Sequence, residues 1–93
     1  MTIPVYQMAG PFAEDKDVAK TIREQYLIPA IAANESVTLD FAEVQSSTQS
    51  FVHALISKTL QDSGETVLER LTFANCSEKV RDLIVMVTNY SLE

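Results

Sequence analysis

The chain has 93 residues, 46% of them hydrophobic, with only two glycines and three prolines, which predicts one small globular domain over residues 1–93 and excludes a linker-rich or disordered chain. Thirteen acidic against seven basic residues give a net charge of −6, which repels phosphate backbones and anionic lipids, so we expect neither direct nucleic-acid binding nor membrane binding. A single cysteine, a start unlike a signal peptide and no bilayer-length apolar run together predict a cytoplasmic protein.

A short strand is predicted at the start of the chain. Ile3 and Val5 alternate with Thr2 and Pro4, which is the period of two typical of a half-buried strand. Proline has no amide hydrogen to donate to a neighbouring strand. Pro4 therefore indicates that this strand lies at a sheet edge or that the proline is among the first residues of the strand. The pair at residues 10–11, Gly-Pro, then ends the pattern.

The first helix is predicted from residue 15 or 17 to about residue 28. Asp15 or Asp17 can cap it, and its apolar face consists of residues three and four apart: Val18, Ala19, Ile22 and Tyr26. Pro29 lacks a backbone donor and crowds the preceding turn. The helix should therefore kink or stop at Pro29 and restart through residues 30–32.

A strand, a polar loop and a second helix are predicted in the middle of the chain. Apolar residues occupy every second position of residues 37–41, which predicts a half-buried strand. The polar stretch 45–50 follows this strand. One apolar helical stripe comes next and ends near residues 62–64; it contains Val52, Leu55, Ile56, Thr59 and Leu60.

The last third predicts one more strand and one more helix. Residues 66–73 are rich in β-forming side chains and predict the third strand. Asn75 and Glu78 have the spacing of a capping box, in which Asn75 caps a third helix and Glu78 reaches back to the amide of the cap. The apolar stripe of that helix contains Val80, Leu83, Ile84, Val87 and Tyr90.

Strands that alternate with helices three times predict a small α/β domain of β-α-β-α-β-α order. Its sheet should be mainly parallel, joined by right-handed crossovers, with three main helices. The sequence leaves the strand order open. Because a core of this size supplies little net stability, covering an exposed edge or face with a second copy would help, so we expect a homodimer.

The loop at residues 45–50 and the helix after it form the candidate functional site. In a parallel sheet, the loop that leaves a strand and the following helix N-terminus make the usual functional edge. In the simplest interpretation, Ser47 or Thr48 only caps the second helix. In the functional interpretation, Thr48 or Ser50 accepts a phosphoryl group, whose charge would switch partner binding.

The other reactive side chains match no catalytic or metal-binding motif. His53 lies one step off the apolar stripe and should point to solvent, while Cys76 has no paired base and should be an inert small residue. The scattered carboxylates, Asp40 and Glu43 among them, should be solvated. The two glycines stand apart, so no phosphate-binding glycine loop is present. We predict no metal, no cofactor and no enzymatic activity.

The stretch 37–44, Val-Thr-Leu-Asp-Phe-Ala-Glu-Val, followed by Thr-Gln-Ser-Phe-Val-His-Ala-Leu-Ile at 48–56, resembles the central unit of STAS domains, the sulphate transporter and anti-sigma factor antagonist family. More closely, it resembles the short STAS-like domains of unknown function found in bacteria, over residues 10–80. The resemblance implies a non-enzymatic regulator that binds a protein partner, an anti-sigma factor or a histidine-kinase-like ATPase, through residues 45–60. The implied binding residues are Asp40, Ser47, Thr48, Ser50 and Phe51.

The switch loop of the antagonist proteins carries an Asp-Ser-Ser-Gly-type motif, and residues 48–51 here read Thr-Gln-Ser-Phe. Thr48 stands where the Asp is expected, and Gln49 stands where the phosphorylated Ser is expected. Ser50 matches the second Ser, and Phe51 replaces the Gly. The phosphoacceptor of the family therefore has no direct match, and Ser50 and Thr48 stay the candidate phosphoacceptors.

Two other functions remain open at this point. In the first, the domain is a small-ligand sensor that binds an anionic metabolite or nucleotide at the N-terminus of the same helix. In the second, the chain is an enzyme subunit whose site is completed by another chain. No residue of the sequence actively supports the second alternative.

Overall fold

The computed structural model describes residues 1–92 of the chain. The main sheet consists of three parallel strands in the order β1-β3-β5, and a second parallel sheet pairs β2 with β4. The strands are β1 (Thr2–Pro4), β2 (Phe12–Ala13), β3 (Val37–Asp40), β4 (Ser46–Ser47) and β5 (Leu71–Ala74).

Within residues 1–92 the chain also forms four helices and one 3-10 segment, Gly64–Glu69. Helix α1 is Val5–Ala9, α2 runs through Lys16–Ile22, Arg23–Leu27 and Ile28–Ala32, α3 runs through Gln49–Val52, His53–Ser57 and Lys58–Ser63, and α4 is Glu78–Ser91. The middle segments of α2 and α3 are π turns. The predicted α/β fold with a parallel sheet and three main helices is confirmed. Among the described residues, no helix combines the length and apolar character needed to cross a bilayer.

The three long helices lie on one face of the main sheet. Strand order follows chain order, and crossovers between parallel strands are right-handed as a rule, which puts α2 and α3 on the same side of the sheet. Helix α4 packs against α3, where the Ser57 and Ser91 hydroxyl oxygens are 2.9 Å apart. The side chains that point from the strands into this layer are buried: Ile3, Val37, Leu39 and Leu71. The opposite face carries a row of threonines in register, Thr2, Thr38 and Thr72.

The predicted helix faces form most of the core. Every member of the predicted α3 stripe is buried: Val52, Leu55, Ile56, Thr59 and Leu60. Asp15 caps α2 as predicted, because its carboxylate accepts a hydrogen bond from the Asp17 amide at 2.9 Å. Phe41 directly follows β3 and is also buried. The helical spacing of apolar residues was therefore sufficient to identify the buried faces.

Helix α2 does not stop at Pro29. The turn before the proline has the wider i→i+5 pattern, in which the Ile28 amide donates to the Arg23 carbonyl. This extra residue in the turn accommodates a position that has no amide hydrogen, and the helix continues to Ala32. The predicted kink or restart is thus a π turn. Val5, which was predicted in the first strand, instead begins α1.

The predicted strand over residues 66–73 is wrong in its first half. Gly64 has a φ of +70° and ends α3, and the chain then forms the 3-10 segment Gly64–Glu69. The Thr66 hydroxyl donates to the Ser63 carbonyl at 2.9 Å, which stabilises this tight turn. Only the residues from Leu71 onward form the predicted strand, because pairing with β3 begins at Leu71.

The predicted capping box at the start of α4 is also wrong. Ser77 is the cap, because its hydroxyl oxygen accepts a hydrogen bond from the Val80 amide at 3.3 Å. Asn75 has a φ of +57° and uses its side chain to donate to Asp40. The spacing of Asn75 and Glu78 matched a capping box only by coincidence.

His53 and Tyr90 differ from their predicted environments. His53, expected to face solvent, is partly buried at the α3–α4 surface. Tyr90, expected to close the buried stripe of α4, is 64% exposed. The two rings meet edge to face, with centroids 5.6 Å apart and an interplanar angle of 86°. Each aromatic ring therefore shields part of the other at the boundary between core and solvent.

Candidate functional site

The candidate site lies where the carboxyl ends of the three parallel strands meet. The segment after α1, the loops that leave β3 and β5, and the N-terminus of α3 converge there. We call this surface the rim and define it as residues 10–15, 40–50 and 74–77. In open parallel sheets this edge is the usual place for binding.

The small sheet of β2 and β4 fixes the backbone of the rim. The Gln45 amide donates to the Pro11 carbonyl at 2.8 Å. The Ala13 carbonyl accepts two hydrogen bonds, one from the Thr48 amide at 3.2 Å and one from the Ser47 hydroxyl at 2.6 Å. These contacts join the first loop of the rim to the second, so the approach to α3 has a defined conformation.

Thr48 caps α3, as the simplest interpretation predicted. Its hydroxyl oxygen accepts a hydrogen bond from the Phe51 amide at 3.1 Å. Ser47 is not the cap and is partly buried. Ser50 is exposed in the first turn of the helix, whereas the Phe51 side chain has 0% exposure. The structure therefore places Ser47, Thr48 and Ser50 at the start of α3 but Phe51 in the core, where it has no surface to offer a partner.

Asp40 joins the loops that follow β3 and β5. One of its carboxylate oxygens accepts hydrogen bonds from the Asn75 side-chain amide at 3.0 Å and from the Ala42 backbone amide at 2.9 Å. The Asn75 bond first, and the Ala42 bond second, lower the pKa of Asp40 below its ordinary value. Burial and the nearby charge of Asp40 raise the pKa of the Cys76 thiol, so the thiol stays protonated at neutral pH.

Two residues of the rim other than glycine adopt the left-handed backbone conformation. Glu43 has a φ of +71° and Asn75 has a φ of +57°. Asparagine tolerates this region, but a glutamate there carries backbone strain. Strained positions of this kind persist where the surrounding hydrogen bonds determine the loop, and they are frequent at binding sites.

Phe12 is the residue of the rim that the sequence did not single out. It lies in β2 opposite Ser46 and is 55% exposed. An exposed aromatic ring beside a fixed loop is typical of interaction surfaces. The available signal was an isolated aromatic residue in a turn-forming segment, outside every apolar stripe. That signal is weak without the pairing of β2 with β4.

The rim also has a one-sided charge. Its residues include Glu14, Asp15, Asp40 and Glu43 and contain no lysine, arginine or histidine. In the part of the chain that the structure describes, no three His, Cys, Asp or Glu side chains are grouped to hold a metal ion. The rim is therefore an acidic surface with one exposed aromatic ring.

The cavities that we describe lie away from the rim. The first, of about 380 Å³, is lined by Met8 and by α2 residues up to Tyr26. A second, of about 170 Å³, lies between the end of α2 and Thr59. A third, of about 330 Å³, lies beside Arg70. Residues 40–50 line none of the three, so binding at the rim would use an open surface.

Comparison with known proteins gave one family. A family model described as a STAS-like domain of unknown function (DUF4325) matches residues 18–81, which is more than half of the chain. The matched region contains β3, β4, α3, β5 and the start of α4. Searches among curated proteins and among solved structures gave no significant match.

Proposed function

This chain belongs to the STAS-like domains of unknown function, and from that membership we propose that it is a non-enzymatic regulatory module that binds a protein partner through residues 45–60 and the rim. The observation that carries the proposal is the exposed surface of Phe12, Gln49 and Ser50 on a backbone held by hydrogen bonds. We call these three residues the rim patch.

The rim patch has the composition of a protein-binding surface. The exposed ring of Phe12 supplies apolar area, and the exposed amide of Gln49 and hydroxyl of Ser50 supply adaptable hydrogen bonds. Because the Ala13 and Pro11 carbonyls already hold the loop, binding would require little further ordering of the backbone. A fixed surface of this kind favours a protein partner.

The charge of the rim supports a partner with a basic docking surface. Four carboxylates without a nearby basic side chain on the rim attract positive charge and repel acidic surfaces. We propose a histidine-kinase-like ATPase or an anti-sigma factor, the partner classes that the family resemblance implies. Association with such a partner should slow as salt rises, because screening weakens steering between opposite charges.

Phe12→Ala should weaken binding of the partner by at least about tenfold, because an exposed aromatic residue at the centre of a contact is a frequent hot spot. The wild-type chain would serve as bait in a lysate of the native host, and the captured ATPase or anti-sigma factor would then be purified and titrated by calorimetry. Val85→Ala is the matched control, since Val85 is similarly exposed but lies in the middle of α4. Equal affinities for all three chains would contradict the proposal.

Ser50→Asp should also weaken binding of the partner, whereas Ser50→Ala, which removes one exposed hydroxyl and adds no charge, should lower the affinity much less. Ser50 is the exposed hydroxyl of the pair of candidate phosphoacceptors, since Thr48 is partly buried and caps the helix. A basic docking surface attracts negative charge, but a phosphoryl group packed into the contact must also lose its water, and we propose that this desolvation cost exceeds the attraction, so that phosphorylated Ser50 is the off state. The same titration measures both variants. If Ser50→Asp binds as tightly as wild type, phosphorylation at this position is not the switch.

No specific observation favours the sensor or the enzyme-subunit alternative. The described cavities lie outside residues 40–50, where the sensor hypothesis places its ligand. A thermal-shift screen with anionic metabolites and nucleotides separates that hypothesis from ours. A true ligand at a hundred times its dissociation constant would stabilise the fold by about 2.7 kcal/mol.

A further inference from the structure

The outer edge of the main sheet at β5 carries unpaired backbone groups. The amides of Val37 and Phe41 donate to the carbonyls of Arg70 and Ala74, at 2.7 and 2.8 Å. In a parallel ladder, the backbone amide and carbonyl of every second residue point toward the neighbouring strand. The amides and carbonyls of the residues in between point away from it. The residues of β5 whose amides and carbonyls point outward are Leu71 and Phe73.

Within residues 1–92, the outward amides and carbonyls of Leu71 and Phe73 have no hydrogen-bond partner. β5 is the outermost strand of the sheet, and no loop or side chain in this part of the chain forms a hydrogen bond with these groups. The strand is Leu-Thr-Phe-Ala, without a proline or a charge. Proteins usually protect such an edge with proline, lysine, a bulge or a covering segment, because it otherwise pairs with another chain. β5 therefore offers a ready pairing surface.

The opposite edge of the sheet at β1 is different. Thr2 and Pro4 face outward there, by the same alternation, since the Thr38 amide donates to the Met1 carbonyl. Pro4 has no amide hydrogen, so this edge lacks a donor that a ladder needs. Pairing of β5 with β1 of another copy, which would build an open filament, is disfavoured by Pro4. Pairing of β5 with itself is not.

We propose that two copies of this chain pair through β5, antiparallel about a two-fold axis at Thr72. This register sets Leu71 opposite Phe73 of the partner subunit, so that both amides and both carbonyls on each edge find partners. On the helix side of the sheet, Phe73 supplies the apolar contact between the two copies, because Leu71 is only 6% exposed and already lies in the core of its own copy. Thr72 meets its own copy on the opposite, open face.

The geometry also sets the strength of the dimer. Two four-residue strands bury far less than the roughly 1,200–2,000 Å² of a stable interface, so the dimer should form only at high micromolar concentration. Each copy carries a net charge of −6, and mutual repulsion opposes association. Moderate salt should therefore strengthen the dimer, the opposite of its effect on partner binding at the rim.

Thr72→Cys in a Cys76→Ser background should form an intersubunit disulfide under mild oxidation. A non-hydrogen-bonded antiparallel pair has Cα atoms about 4.5 Å apart, which is within the range that a disulfide spans. Thr2→Cys in the same background is the matched control, because Thr2 lies in the same threonine row at the β1 edge. On non-reducing gels, the Thr72→Cys chain should run at twice the 10.3 kDa chain mass and the Thr2→Cys chain should not.

Sedimentation of the wild-type chain over a range of concentrations gives an independent measurement. Its weight-average mass should rise toward the dimer, and Thr72→Glu should weaken association about tenfold, because it places like charges opposite each other across the axis and adds to the net negative charge of each copy. Thr72 is exposed in the single chain, so this variant keeps the fold. A wild-type chain that stays at 10.3 kDa throughout, or equal crosslinking of the two cysteine variants, would overturn the proposal.

Discussion

Phe51→Ala should lower the free energy of unfolding by about 3–5 kcal/mol, the range for truncating a fully buried phenylalanine. The side chain has 0% exposure and lies in the first turn of α3, beside the cap Thr48. The loss would remove a large part of the roughly 5–15 kcal/mol that holds a domain of this size. Urea unfolding followed by circular dichroism measures the change.

Phe12→Ala is the matched control for this experiment, because Phe12 has the same chemistry and is 55% exposed. Its effect on unfolding should stay within about 0.5 kcal/mol. The two phenylalanines thus separate stability from binding: Phe51→Ala should destabilise the domain, and Phe12→Ala should weaken binding of the partner. A Phe51→Ala chain as stable as wild type would show that the first turn of α3 does not anchor in the core.

The position of Phe51 also gives a reason why residues 48–51 depart from the antagonist motif that they resemble. Where antagonist proteins have glycine, this chain has a bulky side chain that fills the core below the helix N-terminus. The replacement is structural, since it fixes the first turn to the layer beneath it. Ser50, one residue earlier, points to solvent. The loop can therefore remain a binding surface although its motif differs.

The long periodic elements could be predicted from the sequence. Apolar residues recur every three or four positions in α2, α3 and α4 and at every second position in residues 37–41. The buried face of each element can therefore be identified from the spacing of its own residues. Parallel pairing followed from the alternation of strands and helices. These features depend on local pattern, and local pattern is what a sequence shows directly.

The predictions that were wrong concern features that depend on contacts between residues far apart in the sequence. The pairing of Phe12–Ala13 with Ser46–Ser47 involves two residues a strand, too few to leave a periodic signal. Asn75 fits a capping box in isolation, but Asp40, 35 residues away, engages its side chain instead. Thr66 and Val67, at the start of the predicted third strand, are typical of strands but lie in the 3-10 segment Gly64–Glu69, which has no neighbouring strand to pair with. Long-range pairing decided all three.

The candidate site was predictable in part for the same reason. Thr48 and Ser50 are two residues apart in the chain, so their place at a helix start followed from local pattern. Asp40 was identified, but its role as a bridge to Asn75 was not. Phe12 was missed because only the fold brings it beside residues 45–50.

Arg23 is the second residue for which we expect a large effect. It begins the π turn of α2, and its side chain is only 14% exposed. One terminal nitrogen donates to the Ala54 carbonyl in the π turn of α3 at 2.9 Å. The other lies 3.5 Å from the Glu24 carboxylate, which is exposed, so that ion pair contributes under about 1 kcal/mol. The Arg23 Nε is buried and has no partner among the described residues.

Arg23→Ala should lower the free energy of unfolding by about 2–3 kcal/mol, because it removes the buried stem and leaves the Ala54 carbonyl without its charged donor. Removing the unpaired Nε partly offsets this loss. Arg23→Met keeps most of the stem, so urea unfolding should show a loss of only about 1 kcal/mol in the free energy of unfolding. The difference between the two variants measures the contribution of the packed stem. Arg81→Ala, at a 67% exposed arginine, should change stability by less than about 0.5 kcal/mol. If Arg23→Met stabilises the chain, the buried guanidinium lowers the free energy of unfolding. Its hydrogen bond between the two π turns would then serve a purpose other than stability.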